Sequence, residues 1–355
     1  MVASNEDQRA TDNMGTKPVA EALSFDVAAL SRWMEANIPG YAGPMEVTQF
    51  KGGQSNPTYQ LSTPGARYVL RRKPPGNLLP SAHAVDREYR VLSALGPTGV
   101  PVPRTYGLCT DVDVIGTWFY VMDMVEGRVL WDPTLPQYQP AERRAIYNAE
   151  IHTLADLHNA DYEKLGLGDY GKPGNYMGRQ VERWTRQYRA SCEQPDPVME
   201  RLIEWLSATL PAQDRTSIVH GDYRIDNMIF HPDEARVVAL LDWELSTLGD
   251  PLADFTYLLM NWVTSALADI PDLSAHGIPT IGEVVEAYCA RTGRDGLPNL
   301  DWYFAYNCFR TTAILYSIAG RVRDGTANHP NARAQALKIP KMTAIAWSFA
   351  ERAGA

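Results

Sequence analysis

The segment VHGDYRIDNMIFHP (219–232) sets a His-Gly-Asp triplet and an Asn among apolar residues, with Ile218 and Val219 before the triplet and Met228, Ile229 and Phe230 after the Asn. Such groups are costly to bury, so they belong either to a working loop held between strands or to a solvated turn. A second segment decides between the two: VVALLDWELSTLGDPLADF (237–255) runs an apolar strand straight into Asp242. The ordered set is Asp222, Asn227 five residues later, a strand, then Asp242. Phosphoryl transfer needs that inventory. One carboxylate orients an attacking hydroxyl and accepts its proton, while an amide oxygen and a second carboxylate hold magnesium against nucleotide phosphates. Asp222 is the candidate base, and Asn227 and Asp242 are the candidate magnesium ligands.

The rest of the chain has to position these groups. Its 355 residues, 45% hydrophobic and 21% charged, suffice for a large core and two subdomains. A net charge of -9 disfavours a general nucleic-acid or anionic-membrane surface, and no apolar run approaches the roughly 20 residues of a bilayer span. Cys109, Cys192, Cys289 and Cys308 are scattered, with no CxxC pair and no signal-peptide pattern, so the expectation is a reducing, cytoplasmic protein with free thiols.

Residues 1–24 read as a flexible tail, and Val27, Leu30, Trp33 and Met34 as a leading helix. Strands are expected at 46–50, 58–62, 67–72 and 117–124, with a helix over 83–95. Beyond residue 127 the pattern turns helical over 140–159, 175–191, 196–208, 251–268, 280–291 and 301–321. The expected fold class is α+β in two lobes: a small antiparallel-sheet N-lobe (25–121), a hinge (122–127) and a larger, mostly helical C-lobe (128–355), with a cleft between them. GLGDYGKP (166–173) satisfies GxGxxG, yet it follows a helix-like stretch, and Pro173 stands where a phosphate-binding loop needs Ser or Thr. It reads as a glycine-rich connection between helices.

HGDYRIDN has the spacing of the protein-kinase catalytic loop HRDxxxxN, with Gly221 in place of Arg. Together with LLDWE and GDPLADF it resembles the aminoglycoside phosphotransferase-like family of small-molecule kinases, whose fold is protein-kinase-like. The resemblance covers nearly the whole chain from about residue 25. GGQSNPTY, YVLRRKPPG, REYRVL and RQVERW are similar to the branch of kinase-like domains associated with acyl-CoA dehydrogenases, which implies a functional link to those enzymes.

The resemblance implies ATP and Mg2+ as cofactors. It also implies a glycine-rich loop over the phosphates, offering Gly52, Gly53, Ser55, Asn56 and Thr58. Arg71 stands at the family's lysine position, with Arg72 and Lys73 as alternatives, and Glu88 matches its ion-pair acid. Met122–Met124 would receive adenine on backbone groups. Glu244 is open between assisting the metal, contacting substrate and capping its turn; Arg224 is open between binding an anionic substrate and simple solvation. His220, His152 and His158 read as structural, and Asp250 and Asp254 as structural acids. Tyr257, Trp262, Asn307 and Arg310 are candidate substrate contacts, suited to a hydroxylated acid or hydroxyacyl compound, with Arg310 pairing an anionic group.

The expectation is therefore an ATP- and magnesium-dependent kinase acting on a hydroxyl of a small molecule. The alternatives are a nucleotide-binding pseudokinase-like module, an aminoglycoside phosphotransferase and, last, a metal-dependent hydrolase, for which no His cluster is evident.

Overall fold

Alternation along the strand Arg67–Arg72 sorts its side chains between two faces: Tyr68, Leu70 and Arg72 turn one way, Val69 and Arg71 the other. The computed structural model describes residues 14–52, 56–76, 83–265, 272–327 and 331–355. Gly53 and Ser55 of the expected glycine-rich loop lie outside them.

An antiparallel sheet is built from β1 (Thr16–Lys17), β2 (Glu46–Phe50), β3 (Thr58–Ser62), β4 (Arg67–Arg72), β5 (Thr105–Cys109) and β6 (Phe119–Asp123), in the spatial order β1-β2-β3-β4-β6-β5. Two short antiparallel pairs follow. They join β7 (Ser217–Val219) to β10 (Thr247–Gly249), and β8 (Met228–Phe230) to β9 (Val237–Leu240). The helices begin with α1 (Val27–Asn37), α2 (Val85–Leu95), α3 (Val112–Ile115), α4 (Pro140–Asn159), α5 (Tyr176–Ser191) and α6 (Pro197–Ala208). They continue with α7 (Pro251–Leu258), α8 (Met260–Thr264), α9 (Ile281–Thr292), α10 (Leu300–Arg323), α11 (Ala332–Ala336) and α12 (Ile339–Arg352).

The described residues form two compact units. One holds the chain up to Leu135 with Tyr162–Tyr170 and Ile225–Ser246; the other holds Pro136–Asp161, Gly171–Arg224 and Thr247–Ala355. The boundaries follow contact rather than chain order, so Asn227 and Asp242 belong with the sheet and Asp222 with the helices.

In the sheet unit, one face packs Leu61, Tyr68, Leu70, Phe119 and Val121 against Leu30 and Met34 of α1 and Ile38 just after it. This burial of apolar area is the unit's main driving force, at roughly 25 cal/mol per Å². Part of the segment expected as a tail carries structure: β1 pairs with β2, and the Leu23 carbonyl accepts from buried Arg72 at 2.8 Å and from the Tyr59 hydroxyl at 3.0 Å. A two-residue strand is too short to leave a periodic trace in sequence.

In the helical unit, the 24-residue α10 is the central element, with Phe304, Phe309, Ala313 and Leu315 buried along it. It packs chiefly against α12 and α5. α4 opens with a capping box of Gln139 and Glu142. The helix expected over 251–268 is instead two, α7 and α8, divided at Leu259. The loop 166–173 does join two helices, α4 and α5, and Gly171 is required there because a Cβ would stand 2.6 Å from the backbone nitrogen of Leu248.

Candidate active site

In the sheet unit the site is organised by Glu88, which α2 delivers to the Arg71 face of the sheet and which is 2% exposed. Its Oε1 accepts from Asn56 Nδ2 at 2.8 Å and its Oε2 from the Tyr120 hydroxyl at 3.1 Å. Arg71 Nε lies 2.8 Å from Oε2, but its hydrogen is not aligned with the carboxylate, so that pair is held mainly by charge. Asn56 in turn meets His83 Nδ1 at 3.0 Å. The other end of the guanidinium reaches Asp242 Oδ1 at 2.9 Å and Glu244 Oε2 at 3.6 Å. Burial alone would lower the Arg71 pKa, but the surrounding anions, Glu88 foremost, raise it. Burial also pushes Glu88 up, with Arg71 opposing.

Strand alternation selects Arg71 over its neighbours. Arg72 turns to the opposite face, stacked on Phe25 at 5.0 Å, while Lys73 lies over Trp118 at 4.1 Å. The two candidate magnesium ligands are brought together by the β8–β9 register. Met228 pairs with Leu240, and Leu241 N–H donates to the Asn227 carbonyl at 2.9 Å, which leaves Asn227 and Asp242 at the same end of the hairpin. Asp242 is in the left-handed region (φ 64, ψ 64), and its side chain is 38% exposed. An amide oxygen and a half-exposed carboxylate are hard donors, few in number, and magnesium is bound by such sets with its remaining positions filled by water. The residues fit that ion.

In the helical unit, Asp222 follows β7 on a loop gripped from beneath. Asp254, fully buried in α7, accepts the backbone N–H groups of His220 and, at 2.9 Å, Gly221. His158 lies 3.6 Å from the same carboxylate, and its Nδ1 meets the Tyr288 hydroxyl at 2.7 Å. Asp222 Oδ1 accepts from the Tyr257 hydroxyl at 3.0 Å and faces Arg224 Nε at 3.2 Å. Burial would raise the Asp222 pKa, yet Arg224, His220, Arg310 and the Tyr257 hydroxyl outweigh it, so the carboxyl is held below its ordinary value and is ionised at neutral pH. An ionised carboxylate aimed by a fixed hydroxyl is suited to receive a proton.

The remaining predicted residues divide by environment. Asn56 is fully buried, with its amide on Glu88, and Thr58 Oγ1 donates to the Asn56 carbonyl at 3.0 Å, so neither presents that donor to a ligand. Met122 is paired on both sides, with Val69 and Thr105; Met124 lies beyond the strand. Asn307 is fully buried and donates to Ala253 O and Thr256 Oγ1, which makes it part of the α7–α10 packing. Trp262 donates to the Pro279 carbonyl at 2.8 Å. Arg310, 8% exposed, donates to the Gly221 carbonyl at 2.7 Å. Gly52 lies at the edge of the described segment, and Glu244 sits in the turn after Asp242. Tyr120 was missed by sequence reasoning. Its signal is the phase of TWFYVMDM, which sends Tyr120 and Met122 to the face opposite Phe119 and Val121.

Comparison with known proteins bears on the family and the fold. Residues 46–303 match the phosphotransferase enzyme family. Acyl-CoA dehydrogenase family member 10 of Mus musculus is 42% identical over 346 residues, covering 96% of this chain and 32% of that protein. Family member 11 of Gallus gallus is 45% identical over 327 residues, covering 88% and 42%. The chain thus spans about a third to two fifths of the length of these relatives. Among solved structures, a putative aminoglycoside phosphotransferase from Ralstonia eutropha superposes with a TM-score of 0.86 at 47% identity, covering 93% of this chain and 99% of that one. Macrolide 2'-phosphotransferase type I, at 16% identity and a TM-score of 0.59 over 92% and 98% of the two chains, shares the fold.

Proposed function

The chain belongs to the phosphotransferase enzyme family, and we propose that it is an ATP- and magnesium-dependent kinase that phosphorylates a hydroxyl of a small molecule. The observation that carries this reading is Asp222: ionised, aimed by the Tyr257 hydroxyl, and mounted on a loop whose amides are fixed by Asp254. Its carboxylate accepts the hydroxyl proton as the acceptor oxygen bonds to the γ-phosphorus and the bond to the bridging oxygen breaks, releasing ADP. Asn227 and Asp242 are the residues to hold magnesium, whose charge neutralises phosphate oxygens during transfer. Arg71, fixed by Glu88, is the cation to steady the nucleotide.

For the acceptor, a hydroxyacyl compound is favoured over an aminoglycoside. Supporting this are the Tyr257 ring beside Asp222 and the names of relatives called acyl-CoA dehydrogenase family members. A functional link to acyl-CoA dehydrogenases is part of the proposal. The test is a coupled ADP assay across hydroxyacyl thioesters, hydroxy acids and kanamycin-type sugars, with Asp222→Asn as the control. Hydroxyacyl compounds are expected to stimulate ADP formation most. The reverse ranking would reassign the acceptor, and nucleotide binding without ADP formation on any of them would favour a pseudokinase-like module.

A further inference from the structure

We propose that Arg310 is a positioning residue for the loop that bears Asp222, holding that loop by its backbone instead of pairing with the acceptor. The inference rests on the reading of Asp222 as the base. Arg310 lies mid-helix in α10, 8% exposed, and its Nη2 donates to the Gly221 carbonyl at 2.7 Å. Its guanidinium carbon sits 4.5 Å from the Tyr257 ring centroid and 5.4 Å from that of Trp184. Among the described residues no carboxylate stands within ion-pair distance of it, so aromatic faces accommodate the buried cation.

The geometry reaches Asp222 by two routes. Gly221 is gripped at both ends, its N–H by the anion of Asp254 at 2.9 Å and its carbonyl by the cation of Arg310. Independently, the ring beneath the guanidinium belongs to Tyr257, whose hydroxyl donates to Asp222 Oδ1 at 3.0 Å. Movement of Arg310 therefore disturbs both the peptide before Asp222 and the hydroxyl that aims its carboxylate. A planar guanidinium can stack on a ring while donating in its own plane; an ammonium cannot reproduce both contacts. The bond to Gly221 gives one N–H group of this buried cation a charge-assisted partner.

The test separates positioning from substrate binding by using water as the phosphoryl acceptor. In the chain described, Arg310→Lys is expected to slow basal ATP hydrolysis in magnesium by about tenfold, with KM for ATP within about twofold, because orientation and not nucleotide binding is lost. Hydrogen–deuterium exchange without nucleotide is expected to rise at the amides of residues 220–222 and to stay unchanged in α12. Wild-type hydrolysis with wild-type exchange would overturn the proposal, because a residue that only clamps the acceptor affects neither. Faster loop exchange with unchanged hydrolysis would overturn it as well, provided that Asp222→Asn abolishes hydrolysis. If Asp222→Asn instead hydrolyses ATP normally, the base assignment fails, while faster exchange in Arg310→Lys still supports the backbone clamp. Trp184→Leu, which removes one ring and leaves Arg310 in place, is read the same way should Arg310→Lys not fold.

Discussion

Arg71 Nη2 stands 2.9 Å from Asp242 Oδ1, so the guanidinium that neutralises Glu88 also occupies an oxygen of the residue assigned to magnesium. A lysine has one ammonium and cannot fork between two carboxylates as an arginine does. Arg71→Lys is therefore expected to keep the Glu88 pair, release Asp242 and lower the magnesium concentration needed for half-maximal nucleotide binding. Titration of nucleotide binding against magnesium measures this; an unchanged midpoint would show that the Asp242 contact does not compete with the metal.

Arg71→Met has a different consequence. It leaves Glu88 buried with only neutral donors, Asn56 and Tyr120, and stranding a buried charge costs about 3 kcal/mol or more. Glu88 is already raised by burial, and losing Arg71 raises it further. An acid whose folded pKa lies above its unfolded value, about 4.3, binds more protons in the folded state, so stability falls as pH rises through that interval. The deficit of Arg71→Met in urea unfolding is thus expected to be larger at pH 8 than at pH 5.

Asp242→Ala removes one of the two residues assigned to magnesium at the end of the β8–β9 hairpin. Nucleotide affinity is expected to drop much more in magnesium than in EDTA, because the lost contact acts through the metal. Equal losses in the two buffers would make Asp242 a structural residue only.

Asp222→Asn is expected to abolish most turnover while leaving the affinity for ATP-magnesium within a few-fold, since the amide cannot accept the proton. Tyr257→Phe is the finer probe. Asp222 is depressed by Arg224, His220, Arg310 and the Tyr257 hydroxyl against the effect of burial, so removing the hydroxyl raises its pKa toward the ordinary carboxylate value. The acid limb of the turnover profile should move to higher pH, with the neutral range unaffected.

The strands at 46–50, 58–62 and 67–72 were legible to the residue, because each is short and set off by turns rich in Gly, Pro or Ser. The placement of Asp222, Asn227 and Asp242 beside short apolar strands was legible for another reason: loops between such strands concentrate costly polar groups. Environment was not. Asn56 looks like any loop donor in GGQSNPTY, and only tertiary packing shows that Glu88 consumes its amide. Arg310 and Asn307 lie three residues apart in an apolar helix, and whether such residues line a site or fill a core depends on partners distant in sequence, Gly221 and Ala253. Helix α12 went unassigned although its apolar positions recur at helical spacing, which is weaker evidence near a chain end.

Gly221 carries the last prediction. It stands where HRDxxxxN has an arginine, and here its φ is +84, a left-handed conformation that suits glycine. That conformation sets its N–H toward Asp254 and its carbonyl toward Arg310. A Cβ in the left-handed region costs roughly 1–2 kcal/mol, asparagine tolerates the region better than alanine, and a β-branched residue tolerates it worst. The series Gly221→Asn, Gly221→Ala, Gly221→Val should therefore lose stability in that order. Turnover should fall in the same order as the peptide rotates away from its two partners, with nucleotide affinity in magnesium nearly constant, because the assigned metal ligands Asn227 and Asp242 are carried by the sheet unit. Denaturant unfolding gives the stability order, and ADP release with nucleotide titration gives the other two; a valine variant as stable and active as the wild type would show that the left-handed turn at Gly221 is not needed.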